Sequence, residues 1–332
     1  MSQKDIYDEL AEMIDQEDVT GGMPATPSFM RLLRLQFTPQ EAEMAVKIRT
    51  AGGTLEALSE RLGVEKEKLK KKLLAMADKG IIIYDPAEEN PVYRAVGMTA
   101  GGLTETGLWG NIRFPYTVEL GKAIHQVLKE HGEHSLSRLG FPFTPVWAAE
   151  KALPDDAVPS ENLIEAVKEA GHWSVSICPC RLSRALVDPE KPCSHMMQTC
   201  IHTGALSRYA VKHGMARELT HEGLKKLLRK CNENGLVHTI NLLGQICNCC
   251  EDCCPIFGTY KMGAPTFVPS PFAAQVDEDS CTGCETCADR CPVNAVKVEG
   301  VAVVDRNTCI GCGVCVPSCD TEAIKLVRRP KG

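Results

Sequence analysis

Eight of the chain's 18 cysteines fall in one spacing used twice. The first set is Cys281, Cys284, Cys287 and Cys291, followed by Pro292. The second is Cys309, Cys312, Cys315 and Cys319, followed by Asp320. Two-residue gaps let three thiolates of one loop face a single cube of iron and sulfur, and the fourth cysteine lies too far along to close on its own loop. The expected ligand sets are therefore crossed: Cys281, Cys284, Cys287 and Cys319 for one 4Fe-4S cluster, Cys309, Cys312, Cys315 and Cys291 for the other. Zinc ribbons would pair two-cysteine knuckles across a longer gap instead. Gly283, Gly311 and Gly313 lack a Cβ, which lets backbone N–H groups approach the inorganic sulfurs.

A second cysteine field precedes this one. Cys178, Cys180, Cys193 and Cys200 form one group, and Cys247, Cys249, Cys250, Cys253 and Cys254 another. Adjacent pairs such as Cys249–Cys250 are awkward for mutual disulfides and usable as metal ligands. Thiolates at this density repel one another unless a cation holds them. A third metal centre is expected, an iron–sulfur cluster first and zinc as the alternative, since an all-cysteine tetrahedron suits zinc equally well. Alternation along a strand would put Cys178 and Cys180 on one face. Cys193 is expected on a loop and Cys200 at a helix start, with His195 and His202 as substitute ligands. Cys231 falls in phase with Leu224, Leu227 and Leu228, so it reads as helix core. His125, His131 and His134 lack metal-ligand spacing and read as surface residues.

The C-terminal pattern, over roughly residues 273 to 328, resembles the bacterial two-cluster ferredoxins. That resemblance implies one-electron transfer at low potential; Asp320, where the other loop has Pro292, departs from a strict repeat. Further residues carry a longer likeness: Cys178-Pro-Cys180-Arg181, Cys193, Cys200, the strand around His238 and the run Cys247 to Cys250. With them the chain resembles a poorly characterised family, the 4Fe-4S dicluster-domain proteins of anaerobic bacteria and archaea. The likeness implies a redox role, extra cysteine-bound metal and a winged-helix-like N-terminal part.

The elements that must position these residues follow from periodicity and punctuation. An acidic amphipathic helix is expected over residues 4–18, broken by the run Thr20 to Pro24. Thr38, Pro39 and Glu41 form a capping box with proline at the first helical position. Two further helices follow, the first ended by Gly63 and the second by Gly80, and then a hairpin through Ile81–Tyr84 and Val92–Val96. Three helices and a hairpin resemble a winged helix. Its third helix carries Lys66, Lys68, Lys70, Lys71, Lys72 and Lys79 but no arginine or asparagine set suited to reading bases. Residues 97–110 read as a loop, 116–131 as a helix, and 141–145 and 153–156 as extended linkers. A short helix over 161–172, a strand over 173–177, a helix from Thr220 and a strand over 235–240 complete the middle. The expected architecture is α+β and multidomain: helix and linker 1–37, winged-helix-like unit 38–96, cysteine-rich α/β domain 97–268, and a two-cluster ferredoxin fold 269–332.

Composition narrows the function classes. Apolar residues make 44% and charged residues 24%, ordinary for a globular chain. No apolar run approaches ~20 residues, so no transmembrane helix is expected. The polar N-terminus has no signal-peptide pattern, and a cytoplasmic location is expected. A net charge of −6 gives no global attraction to nucleic acid. Electron transfer between redox partner proteins is the leading expectation. An iron–sulfur oxidoreductase with a substrate-reducing centre in the middle domain is the alternative, although no flavin, nucleotide or corrinoid motif accompanies it. A redox-responsive DNA-binding regulator is the third.

Overall fold

The computed structural model describes residues 5–18, 22–98, 102–241 and 244–330. Helix α1, Ile6–Glu17, starts at a capping box between Asp5 and Asp8 and buries Leu10, Met13 and Ile14. Of the expected break, Thr20 and Gly21 lie outside the described residues. The expected linker before residue 38 contains a second helix, α2, Pro27–Gln36. Its start signal is a Thr26 cap with proline at the first position, the same device that opens α3, Pro39–Ile48.

Strand β1, Gly53–Thr54, leads into α4, Leu55–Leu62, which ends at a left-handed Gly63. Helix α5, Lys66–Asp78, buries Leu69, Leu73 and Met76 and turns its five lysines outward. Strands β2, Ile82–Ile83, and β3, Val92–Ala95, close an antiparallel sheet in the order β1-β3-β2.

The stretch expected as a loop holds a buried helix, α6, Thr106–Asn111; residues 99–101 lie outside the description. Its glycines conceal it in sequence, because they serve contact rather than turning. A Cβ on Gly110 would sit 2.3 Å from the Lys79 backbone. Helix α7, Thr117–His134, is the longest. His131 is 1% exposed rather than a surface residue, because it lies on the stripe of Ile124, Val127 and Leu128. Burial pushes its pKa down. His125 is half-buried and His134 exposed.

The middle of the chain is built on a seven-stranded sheet. Its strands are β4 Thr144–Trp147, β5 Trp173–Ile177, β6 Gln198–Thr203, β7 Arg217–Leu219, β8 Val237–Ile240, β9 Gln245–Cys249 and β10 Phe267–Val268. The order is β10-β4-β8-β9-β6-β5-β7, antiparallel except between β10 and β4. Part of the expected linker at 141–145 is thus strand β4. The helices are α8 Leu163–Ala166, α9 Pro179–Val187, α10 Gly204–Lys212, α11 His221–Glu233 and α12 Pro255–Lys261. Thr220 caps α11 as expected. The C-terminal part pairs β11, Phe272–Val276, with a strand at Ile324–Arg328, and β12, Val296–Glu299, with β13, Val301–Val304. One short helix, α13, Thr286–Asp289, sits between cysteines.

Helix α10 ties the N-terminal helices to this sheet. Arg208 pairs with Asp85, and His213 Nδ1 lies 2.7 Å from Asp78. Tyr209 is 1% exposed, and its hydroxyl lies 2.7 Å from the Ala77 carbonyl and 2.9 Å from that of Ile82. Its proton is shared between the end of α5 and the start of the hairpin. Tyr209→Phe removes that link without emptying the ring's site. We expect it to lower stability by about 1–3 kcal/mol, read as a shift of the denaturant midpoint with unchanged slope.

Candidate metal centres

The two C-terminal loops repeat one backbone trick. Gly283 and Gly311, the equivalent positions of the two repeats, both adopt positive φ. A Cβ there would lie 2.2 Å from the carbonyl oxygens of Gly300 and Phe272 respectively. The glycines therefore seat one loop against the turn at Gly300 and the other against β11.

Folding the two loops together makes two small cavities. One is lined by Cys281, Cys284, Cys287 and Cys319, the other by Cys291, Cys309, Cys312 and Cys315. Backbone N–H groups already point at the sulfurs: Ala302 donates to Cys281 at 3.4 Å and Ala295 to Cys291 at 3.2 Å. The cavities differ in depth. Cys284 is exposed, whereas Cys309, Cys312 and Cys315 are buried. Burial pushes the Cys312 thiol up to about 12. Such a thiol keeps its proton until a metal replaces it.

This module is seated against the part of the chain built on the seven-stranded sheet. Ala149 N–H donates to the Cys312 carbonyl at 2.9 Å. Arg290, between Cys287 and Cys291, reaches across to the Asn232 carbonyl at 2.8 Å, near the end of α11. One apolar cluster runs through both parts. It holds Val146, Val237, Cys254, Phe257 and Phe267 together with Cys287, Cys309, Cys312 and Cys315, and Cys249 packs against it.

The cysteines between residues 178 and 254 other than Cys231 fall into two groups. Cys178 and Cys180 are not on a strand: β5 stops at Ile177, and Pro179 at the first helical position starts α9, with Cys178 as its cap. The pair still meets through that turn. A hydrogen bond from Cys180, with lesser help from Arg181, brings the Cys178 thiol down to about 7 despite its burial. Strand alternation instead serves Cys247 and Cys249 on β9. Cys200 lies within β6, not at a helix start. Because β6 pairs with β9, its thiol reaches Cys247. Gln245 donates to its sulfur at 2.9 Å. Cys254, the cap of α12, lies 3.4 Å from Cys249, sulfur to sulfur. The second group is smaller: the sulfurs of Cys193, Cys250 and Cys253 lie within 4.8 Å of one another.

The two histidines expected as substitute ligands are placed differently. His195 Nδ1 lies 2.8 Å from the Asn234 carbonyl. His202 packs its ring on Trp109 and its Nε2 lies 2.9 Å from Ser176 Oγ; burial holds its pKa down at about 3. Cys231 is core, as its helical phase predicts, and burial pushes its thiol up to about 12.

Sequence reasoning passed over Arg181, quoted only as part of a motif. It is 1% exposed and the largest fully buried side chain. Its guanidinium donates to the Met196 carbonyl at 2.9 Å, to Thr199 Oγ1 at 2.6 Å and to the Asn248 carbonyl at 2.6 Å. All three acceptors are neutral. Burial opposes its charge, but the thiolates of Cys178, Cys250 and Cys249 outweigh that and raise its pKa. Asn248 faces away from Cys247 and Cys249, donates to the Thr199 carbonyl at 2.7 Å, and is fixed by His238. A polar residue between two cysteines on a strand was the available signal.

Residues 274–297 and 302–325 match the 4Fe-4S binding domain. The C-terminal part is a ferredoxin-like 4Fe-4S module. The two matched stretches divide between the two cysteine repeats. No curated relative and no solved structure matches the chain. Among the described residues, no helix is long and apolar enough to cross a membrane.

Removing the Arg181 charge leaves buried thiolates uncompensated. Arg181→Met should cost about 3–5 kcal/mol in the metal-loaded chain, measured by anaerobic denaturant titration. Arg181→Lys should recover only part, because a single ammonium cannot span three acceptors in a plane.

Proposed function

We propose that the chain is an iron–sulfur electron-transfer protein that relays electrons between redox partner proteins. In this reading Cys281, Cys284, Cys287 and Cys319 hold one 4Fe-4S cluster, and Cys309, Cys312, Cys315 and Cys291 the other. The deep middle-domain group, Cys178, Cys180, Cys200, Cys247, Cys249 and Cys254, holds a third iron–sulfur centre. Such clusters, when bound, take up and release one electron at low potential.

The observation that carries the reading is the shared core. Cys249 and Cys254 pack in the same apolar cluster as the cysteines of the matched module. Low-dielectric packing without a water layer is what a path between centres needs. Exposure gives it a direction: Cys284 meets solvent, whereas Cys309, Cys312 and Cys315 of the second cavity are buried. Electrons would enter at the outer loop and pass inward. The element order of residues 38–96 supports a winged-helix-like unit, read here as a docking body rather than a reader of DNA bases.

Anaerobic purification with iron and sulfide analysis tests this. Three centres predict about twelve irons per chain by four-iron stoichiometry; about eight would refute the third. Cys319→Ser should damage the cluster of Cys281, Cys284 and Cys287. Selective loss of the other cluster would overturn the crossed ligation.

A further inference from the structure

We propose that Cys193, Cys250 and Cys253 form a mononuclear tetrahedral metal site of the zinc class, separate from the centre assigned to the neighbouring sulfurs. The zinc site stands on its own geometry; only its contrast with an iron–sulfur neighbour rests on the function proposed above.

Distance is the first argument. A metal–sulfur bond of about 2.3 Å in a tetrahedron sets sulfurs about 3.8 Å apart. Here the Cys193 and Cys250 sulfurs are 3.6 Å apart, and all three lie within 4.8 Å of one another. Three sulfurs this close therefore fit one ion.

The chain's path is the second argument. Cys250, Glu251, Asp252 and Cys253 make a two-residue-gap knuckle, the ordinary zinc half-site. A turn closes it, with Cys254 N–H donating to the Cys250 carbonyl at 3.3 Å. Neighbouring residues leaving a strand point to opposite sides. The doublets Cys249–Cys250 and Cys253–Cys254 are split accordingly: Cys249 and Cys254 meet each other, while Cys250 and Cys253 meet Cys193. The doublets are thus a device for serving two sites from one short segment.

The surroundings complete the case. Cys250 packs with Leu236 and Cys231 in a small cluster of its own, apart from the core that holds Cys249 and Cys254. The Arg181 guanidinium touches Cys250, offsetting part of the negative charge of three thiolates around a divalent ion. Cys193 and Cys253 are half-buried and Cys250 is buried, so three thiolates supply the protein's share of the ligands at the edge of this small cluster.

The test uses the full chain, purified anaerobically from zinc-supplemented medium, with zinc and iron counted together. We expect about one zinc per chain for a single tetrahedral site. Cys193→Ser and Cys253→Ser should each lose the zinc and keep the iron, whereas Cys254→Ser should lose iron and keep the zinc. Retention of zinc in both of the first two variants, or loss of iron in step with zinc, overturns the proposal. Cobalt(II) added to zinc-depleted wild type guards against variants that misfold. It should give the intense visible bands of tetrahedral thiolate coordination, and their absence also overturns the proposal. If iron totals only the ferredoxin complement while zinc behaves as expected, the third iron–sulfur centre fails and this site stands.

Discussion

Burying thiolates is tolerable only where positive charge meets them, and this chain buries many. Desolvation favours the protonated thiol, as at Cys312 and Cys231. Metal ions reverse that preference by displacing the proton. One side chain does part of the same work permanently: Arg181 lies among Cys178, Cys249 and Cys250, donating to three neutral oxygens and reaching the Cys250 sulfur. The three acceptors fix the plane of the guanidinium, and His238 and Asn248 fix one of them in turn. The middle sheet is thus arranged around charge neutralisation as much as around apolar packing.

Strand order is how the fold meets that constraint. Placing β9 between β6 and β8 brings Cys247 beside Cys200, two residues far apart in sequence. The turn after β9 then sends its cysteine doublets in two directions. On the other side, β4 and the segment after it receive the ferredoxin-like module through the Ala149–Cys312 hydrogen bond. The N-terminal helices are tied in by α10, through Arg208, Tyr209 and His213.

The C-terminal module was legible because its chemistry is local: two short loops hold all eight cysteines at fixed spacing. Capped helices such as α3 and α11 were legible for the same reason, since Thr38 and Thr220 sit next to the turns they cap. Features set by distant partners were not. The chain at 141–147 looks extended either way, and only its pairing with β8 and β10 makes β4 a sheet strand. Helix α6 hides behind Gly107 and Gly110, which are needed for contact with Gln36 and with Lys79 and Gly80 respectively. Cys178 and Cys180 have the spacing of a strand pair, but Pro179 opens a helix as Pro39 does. Arg181 could have been suspected, since a lone arginine among cysteines needs a reason.

The central claim is that the middle-domain sulfurs and the ferredoxin-like module form one electronic unit. Electron paramagnetic resonance of the fully reduced chain tests it most directly. The account predicts that the spectra of the module's clusters are broadened, and their power saturation relieved, by a third paramagnetic centre, and that Cys254→Ser removes this interaction while leaving the module's own signals. A wild-type spectrum identical to that of the Cys254→Ser variant would contradict it.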